Sequence, residues 1–138
     1  MDILTALGVI RERINKTLKD ELKNSSVDIN CNHMWLLSIV YFNNDKIEIK
    51  ELVRSLEKKK STVTEIINTL EKNDLLIKSQ SSDDKRIYYV ETTQKANDLK
   101  PQILNIIEEI QKKVFEGFSK EESAILSKLI LRVVDNLN

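Results

Sequence analysis

The sequence predicts a mainly α-helical fold with a small β-hairpin. Two short segments near the middle of the chain carry matching apolar stripes at the spacing of one helix face, namely Ile49, Leu52, Val53 and Leu56, then Val63, Ile66, Ile67 and Leu70. The later segment RIYYVET is β-branched and aromatic, which is the composition of a strand. With two glycines and one proline among 138 residues, little in the chain would interrupt helices.

The two striped segments predict helices at about 48–57 and 61–73, joined by a short polar turn. Such a pair forms a helix-turn-helix unit, and the second helix of this unit can enter the major groove of DNA. Asn73 and Asp74 tolerate left-handed backbone angles and suit the exit from the second helix. LLIKSQ then predicts a first strand, SSDDK a hairpin tip and RIYYVET a second strand. The hairpin makes the unit a winged helix-turn-helix.

Apolar-striped helices are predicted on both sides of this unit. Residues 3–22 form a long amphipathic helix, and residues 34–41 form a short one that is apolar nearly all round and should be buried. Another long helix runs from Thr93 to about Gly117. Pro101 within it predicts either a kink or a later start. Ser119 and Glu122 match a capping box at the start of the last helix.

The terminal helices carry more apolar surface than one small unit can cover. We therefore expect a homodimer in which the first and last helices of two copies interdigitate around a two-fold axis. This arrangement would place two reading helices roughly 34 Å apart, about one turn of DNA. The expected organisation is a single domain over 1–138, with a winged helix-turn-helix core at 30–95 and dimerisation helices at 1–24 and 97–138.

Composition and charge exclude several classes of protein. Lys+Arg and Asp+Glu both total 22, so the net charge is zero, which argues against a nonspecific coat for nucleic acid. It does not exclude a sequence-reading protein, because local charge placement matters more than the sum. No apolar run approaches the ~20 residues of a transmembrane helix, and no secretory signal is apparent. With a single cysteine, these features favour a cytoplasmic protein.

No catalytic set and no metal site are apparent. The chain has one histidine, no glycine-rich phosphate loop and no convincing carboxylate pair, so we do not expect an enzyme. Cys31 and His33 are too few for a zinc site, which normally takes three or four protein ligands. Cys31 would be a thiol sensor only if its pKa were lowered. Neither a metal nor a cofactor is expected.

The face opposite the second apolar stripe carries side chains that can bond base edges or phosphates: Ser61, Thr62, Thr64, Glu65, Asn68 and Thr69. Asparagine suits adenine, and a glutamate can accept from the amino group of cytosine. The alternative is an ordinary solvated face on which Thr62 and Glu65 form a capping box.

Basic side chains flank this face. Lys58, Lys59 and Lys60 precede the helix, where backbone amides also favour anions, and Lys72 lies near its end. Lys85 and Arg86 lie at the wing, and Arg86 could enter a narrow A·T minor groove. The alternatives are solvated lysines and an ion pair between Arg86 and Asp84, whose carboxylate could also aim the arginine.

The chain resembles the MarR family of winged-helix transcriptional regulators, SarA-like proteins included, over nearly its whole length. STVTEIINTLEKNDLLIK is similar to the family's recognition helix and following strand, and SSDDKRIYYVETTQKA to its Asp-containing wing. Asp84, Arg86 and Thr93 match the wing acid, the wing arginine and the threonine that opens the long helix. The departures are Asp74 and Ala96 at usual glycines, Thr92 at a usual leucine and Glu65 at a position that is often basic.

The resemblance implies a dimer on a palindromic operator in double-stranded DNA, more often a repressor, and often a small-molecule effector that lowers DNA affinity. His33 and Trp35 are the candidate residues of an effector pocket. The alternative is a dimeric winged-helix protein-interaction module that has lost DNA binding. Neutral charge and Glu65 favour this alternative, whereas Arg86 and the Thr62–Asn68 face favour the regulator.

Overall fold

The computed structural model describes all residues from Met1 to Asn138 as six helices and three strands. In chain order these are α1 Ile3–Lys23, α2 Cys31–Phe42, β1 Lys46–Glu48, α3 Ile49–Leu56, α4 Lys60–Lys72, β2 Leu76–Gln80, β3 Tyr88–Thr92, α5 Gln94–Val114 and α6 Lys120–Asn136. The predicted fold class is confirmed, with α3 and α4 as the helix-turn-helix and the hairpin as the wing. No helix is both long and apolar enough to cross a membrane.

The sheet has three strands where the sequence predicted two. Its order is β1-β3-β2 with antiparallel neighbours, and β1 pairs Ile47 with Val90 of β3. Strand β1 could not be predicted, because its three residues are too few to show the alternation of apolar and polar side chains that marks a strand. The segment NNDK, where it begins, indicated only a turn. The strand exists because β3 offers a free edge and because Ile47 is buried against the core beside Val90.

The core forms around α2, as its all-round apolar composition predicted. Its residues Met34, Leu36, Leu37 and Val40 are fully buried. All four members of the α4 stripe are buried as well, whereas in the α3 stripe only Leu52 is. The second helix of the pair is therefore held firmly by its apolar side, and its opposite side is directed outward.

Helix α5 fills part of this core itself. Ile103, Ile106 and Ile110 are buried in one cluster with Leu18 and Leu22 of α1. These α5 positions fell within the expected dimer surface, so that surface is narrower than the sequence indicated. The apolar surface that remains available for a dimer consists of the exposed side chains of α6, which has no buried residue, and of the first half of α1, where Ile3, Leu4 and Ile10 are exposed.

Two helix ends follow local chemistry. Of the two alternatives predicted at Pro101, the later start of α5 is wrong, because Gln94 begins the helix after Thr93, whose Oγ1 accepts from the Ala96 N–H at 3.1 Å. Pro101 lies inside the continuous helix, where it removes one backbone donor. The capping box of α6 is confirmed, since Ser119 Oγ accepts from the Glu122 N–H at 3.1 Å and Glu122 Oε1 from the Ser119 N–H at 2.9 Å.

The exit from α4 is a left-handed residue. Asp74 has φ 60°, a conformation that favours glycine but that aspartate adopts more readily than most residues. The Asp74 carbonyl accepts a 2.6 Å hydrogen bond from Thr93 Oγ1, which joins the end of α4 to the start of α5. The predicted helix exit is confirmed at Asp74, while Asn73 keeps a negative φ of −88°.

Candidate nucleic-acid interface

The outward face of α4 forms a shallow polar groove. Its lining contains no hydrophobic residue, and its volume is about 630 Å³. The members recur three or four residues apart, the spacing of one helix face: Lys60, Ser61, Thr64, Glu65, Asn68, Thr69 and Lys72. Thr69 Oγ1 is already bonded to the Glu65 carbonyl at 3.1 Å. The hydroxyls of Ser61 and Thr64 and the Nδ2 group of Asn68, whose Oδ1 accepts from Lys78 Nζ, are therefore the groove's neutral groups for an external partner.

Thr62 does not line this groove. It is half-buried beside the apolar stripe, although the sequence analysis placed it on the recognition face. The alternative capping box of Thr62 and Glu65 is also wrong, because α4 begins at Lys60 and Thr62 is therefore already inside the helix. The N-cap residue is Lys59, and no side-chain hydrogen bond caps this end of the helix. The helix therefore opens with unpaired backbone amides, which are available to an anion.

Three lysines lie at this end of α4. Lys58, Lys59 and Lys60 are exposed, and none of them makes an ion pair within the chain. The chain reaches them through Glu57, which ends α3 in a left-handed conformation with φ 53°. Positive charges and helix N-terminal amides both favour phosphate, so this end of α4 is suited to a nucleic-acid backbone.

Arg86 is held in a defined geometry at the wing. Its Nε and Nη2 donate to the two carboxylate oxygens of Asp84 at 3.1 and 3.0 Å, and its backbone N–H donates to Asp84 Oδ1 at 3.0 Å. These hydrogen bonds hold the pKa of the Asp84 carboxyl below its usual value. The predicted ion pair is therefore present. The arginine side chain is nevertheless 89% exposed, so its remaining N–H groups are free to bind a partner.

A second concave surface joins the wing to α4. It measures about 590 Å³ between α3, α4 and the hairpin, and Lys60 and Thr64 line both this surface and the α4 groove. Its other polar or aromatic members include Arg86 together with Lys50, Lys78 and Tyr88. Lys85 is exposed at the hairpin tip beside Arg86. Helix α4 and the wing are therefore joined by one continuous surface, which also contains the apolar Ile49 and Val53 of α3.

Lys50, Lys78 and Tyr88 were missed in the sequence analysis. Lys78 had a detectable signal, because it lies two residues after Leu76 and so on the inward face of the predicted strand. Its Nζ donates to Asn68 Oδ1 at 2.8 Å, and its backbone N–H donates to Glu71 Oε2 at 3.1 Å. Nothing in the local sequence around Lys50 or Tyr88 indicated that they would meet across the groove.

The candidate effector residues do not line the cleft that lies between α1 and α2. That cleft, about 610 Å³, lies at the α1–α2 connection and is lined by residues of 19–32, among them Cys31, but not by His33 or Trp35. His33 is half-buried, and burial lowers its pKa. The assignment of His33 and Trp35 to an effector pocket stays a prediction. No group of three or more metal-ligating side chains is placed to hold a metal ion.

Comparison with known proteins identifies the segment that builds this surface. The model of the MarR family matches residues 29–88, which include both helices and most of the wing. Residues 29–88 are similar to a MarR-family winged helix. The recognition stated on sequence grounds is thereby confirmed. A search of curated proteins found no match to the chain.

Solved structures extend the likeness to the whole chain. A MarR-family transcriptional regulator from Listeria monocytogenes, complexed with 26mer DNA, is 28% identical over 99% of this chain and 89% of its own, with a TM-score of 0.87. A SlyA-like transcription regulator from the same organism is also 28% identical, with the same coverage and a TM-score of 0.84. Both are regulators rather than enzymes, in agreement with the predicted class.

A more distant structure shares the fold. Bordetella bronchiseptica BpsR, whose DNA binding is regulated by 6-hydroxynicotinic acid, is 18% identical over 97% of this chain and 94% of its own, with a TM-score of 0.83. The MarR-like architecture therefore includes α1, α5 and α6 as well as the segment that the family model matches.

Proposed function

We propose that this chain is a sequence-specific, double-stranded DNA-binding transcriptional regulator that acts as a homodimeric repressor on a palindromic operator. The observation that carries the proposal is the continuous surface from the polar α4 groove to the wing, with unpaired lysines at one end and Arg86 at the other. The DNA-complexed Listeria relative, similar over nearly the whole chain, supports it.

The surface divides into positioning and reading groups. The phosphate-facing set is Lys58, Lys59, Lys60, Lys72 and Lys85, whose point charges carry no base information. The base-facing set is Ser61, Thr64, Glu65 and Asn68 in the groove, with Thr62 at its margin. Arg86 reaches the adjacent minor groove, where a guanidinium is attracted by the narrow A·T geometry.

We propose that a second copy of the chain packs against the exposed apolar side of the terminal helices. Leu126, Leu129, Ile130, Val133 and Leu137 recur on one side of α6 and are all exposed, although they form a stripe like the buried one on α4. Exposed stripes of this extent mark a protein interface. We assign residues 1–24 and 97–138 to dimerisation and residues 30–95 to DNA binding, so that two α4 helices lie roughly 34 Å apart.

A small-molecule effector is part of the proposal. BpsR, of the same architecture, is regulated by 6-hydroxynicotinic acid. In this chain the candidates are His33 and Trp35, which are half-buried on α2, close in sequence to the cleft at the α1–α2 connection. A ligand that bound between the terminal helices and the winged helix would alter the separation of the two α4 helices.

The competing function is a dimeric winged-helix protein-interaction module. One observation favours it: Glu65 lies in the middle of the α4 groove without an ion pair, where its carboxylate would repel phosphates. In the proposed regulator the same carboxylate accepts a hydrogen bond from a cytosine amino group, away from the backbone.

An electrophoretic shift with genomic DNA fragments at two salt concentrations tests the proposal. We expect a subset of fragments to be retained at both concentrations, with affinity falling as salt rises because Lys and Arg displace counterions. The double variant Asn68→Ala/Arg86→Ala should lose this subset, while Lys120→Ala, which removes one exposed charge at the start of α6, should keep it. Absence of retained fragments at either salt concentration would favour the interaction module.

A further inference from the structure

Lys78 is the only charged residue of β2, and it is attached to α4 at two points. Its backbone N–H donates to Glu71 Oε2 at 3.1 Å, and its ammonium donates to Asn68 Oδ1 at 2.8 Å. In the sheet register it stands opposite the fully buried Val90, two residues after the buried Leu76. Because residues two apart share a strand face, the register itself directs Lys78 onto α4 rather than toward solvent.

This contact determines how Asn68 is presented. An ammonium group has three donors and no acceptor, so only the Oδ1 of Asn68 can face it. The Nδ2 group carries the two amide donors and has no partner within the chain. Asparagine pairs with adenine by using Oδ1 and Nδ2 together, the first accepting from N6 and the second donating to N7. With Oδ1 engaged by Lys78, Asn68 offers the groove mainly donors.

We propose that Lys78 is a positioning residue for base recognition, which holds Asn68 as a hydrogen-bond donor so that α4 selects guanine or thymine rather than adenine beneath it. Guanine O6 and N7 and thymine O4 are the major-groove acceptors that such a donor fits. The inference rests on the proposed DNA-binding function and adds what Asn68 reads. It also makes the wing strand a determinant of specificity through α4, without a contact of its own to the base.

Selection of binding sites from a random duplex pool tests this role. Lys78→Met keeps the length of the side chain and removes its donors, so Asn68 is released and adenine should gain about fivefold or more in relative affinity at one base position. Lys78→Arg retains donors and should keep the wild-type preference. Lys72→Met is the matched control, because it also removes one ammonium group, from the α4 groove that Asn68 lines, and should weaken all sequences alike.

A double-mutant comparison separates positioning from direct contact. In an Asn68→Ala background, Lys78→Met should change no base preference, because there is no amide left to release. A preference that shifts in that background as well, or a uniform loss equal to that of Lys72→Met, would overturn the positioning role while the proposed function stands.

The wild-type chain provides an independent check that does not depend on the stability of a Lys78 variant. The base preference that Asn68→Ala abolishes should be for guanine or thymine. If that lost preference is for adenine, the inference is overturned although DNA binding is established. If the wild type selects no sequence at all, the proposed function fails and the inference fails with it.

Discussion

Among single residues, Arg86 of the wing has a side chain that is both fixed by hydrogen bonds and exposed to a partner. Asp84 fixes its guanidinium through two side-chain hydrogen bonds, yet the arginine remains 89% exposed. Arg86→Ala should therefore change the free energy of unfolding by no more than about 0.5 kcal/mol. It should weaken operator binding and reduce the slope of log affinity against log salt by about one if a phosphate contact is lost. Denaturant unfolding and salt titration measure the two effects.

The Arg86 prediction has a matched control. Lys120→Ala removes an exposed positive charge far along the chain, in the first turn of α6, and should leave both affinity and salt slope unchanged. Wild-type operator affinity in Arg86→Ala would show that the wing does not contribute to binding, whatever its hydrogen bonds to Asp84.

Asn68 and Lys59 should differ in the kind of effect they have. Asn68 lies in the α4 groove, so Asn68→Ala should alter which base is preferred at one position, at a cost of about 1–3 kcal/mol there. Lys59 precedes the helix, within reach of phosphates, and Lys59→Ala should weaken all sequences alike. Binding-site selection with both variants distinguishes the two. Identical selected sequences for wild type and Asn68→Ala would move base reading toward Ser61 and Thr64, which line the same groove.

Tyr41 joins the winged helix to the long helix that follows it. Its hydroxyl donates to the Ala96 carbonyl at 2.5 Å, and burial, with a smaller contribution from Asp45, raises the pKa of Tyr41 to about 12. Because the neutral form is favoured in the folded state, its contribution to stability is complete below about pH 10 and is lost as pH rises toward about 12.

Tyr41→Phe should lower the free energy of unfolding at neutral pH by about 0.5–1.5 kcal/mol, the net value of one hydrogen bond. It should also remove the loss of stability between about pH 10 and pH 12, because no phenol remains to ionise. Denaturant unfolding at both ends of this range measures the difference. If the variant loses as much stability at alkaline pH as the wild type, the loss arises from the ionisation of other groups.

At the scale of elements, α3 and α4 differ despite equal stripes. The α4 stripe is buried at all four positions, so Leu70→Ala should cost about 2–5 kcal/mol of stability. Leu56 of α3 is only half-buried, and its replacement by Ala should cost clearly less. Thermal unfolding of both variants tests this order. Equal losses would indicate that α3 contributes to the core as much as α4.

The set of neighbouring elements does not explain that difference. Helix α4 packs against α2, α3 and β2, whereas α3 packs against α2, α4, β1 and β3. Apolar periodicity shows which side of a helix is turned inward, but not how much protein covers that side. The same reasoning applies to α5, whose stripe is satisfied by α1 of its own chain.

For the whole molecule, the exposed stripe of α6 carries the prediction of assembly. The 16.0 kDa chain should elute and scatter light as a dimer at micromolar concentration. Leu129→Glu with Val133→Glu places charges in the stripe and should yield monomers with weaker DNA binding, because two linked α4 helices bind more tightly than one. Lys128→Glu, on the opposite side of α6, is the matched control and should remain dimeric. A folded wild-type monomer would contradict this assembly.

The sequence by itself determined the local features of this protein. Periodicity located the helices of the winged unit, and the α6 capping box and the left-handed residue Asp74 could be predicted because each depends on neighbours in the chain. The polar face of α4 was predictable for the same reason, since an apolar stripe on one side of a helix identifies the opposite side. Arg86 and its partner Asp84 are close in sequence and were predicted together.

Only the tertiary structure decided what depends on residues far apart in the chain. Strand β1 exists through its pairing with β3, and Thr62 is half-buried outside the α4 groove. The stripe of α5 is buried and that of α6 is exposed, although the two look alike in sequence. Lys78 meets Asn68 across ten residues because sheet register and helix packing bring them together, and no local pattern encodes such a distance.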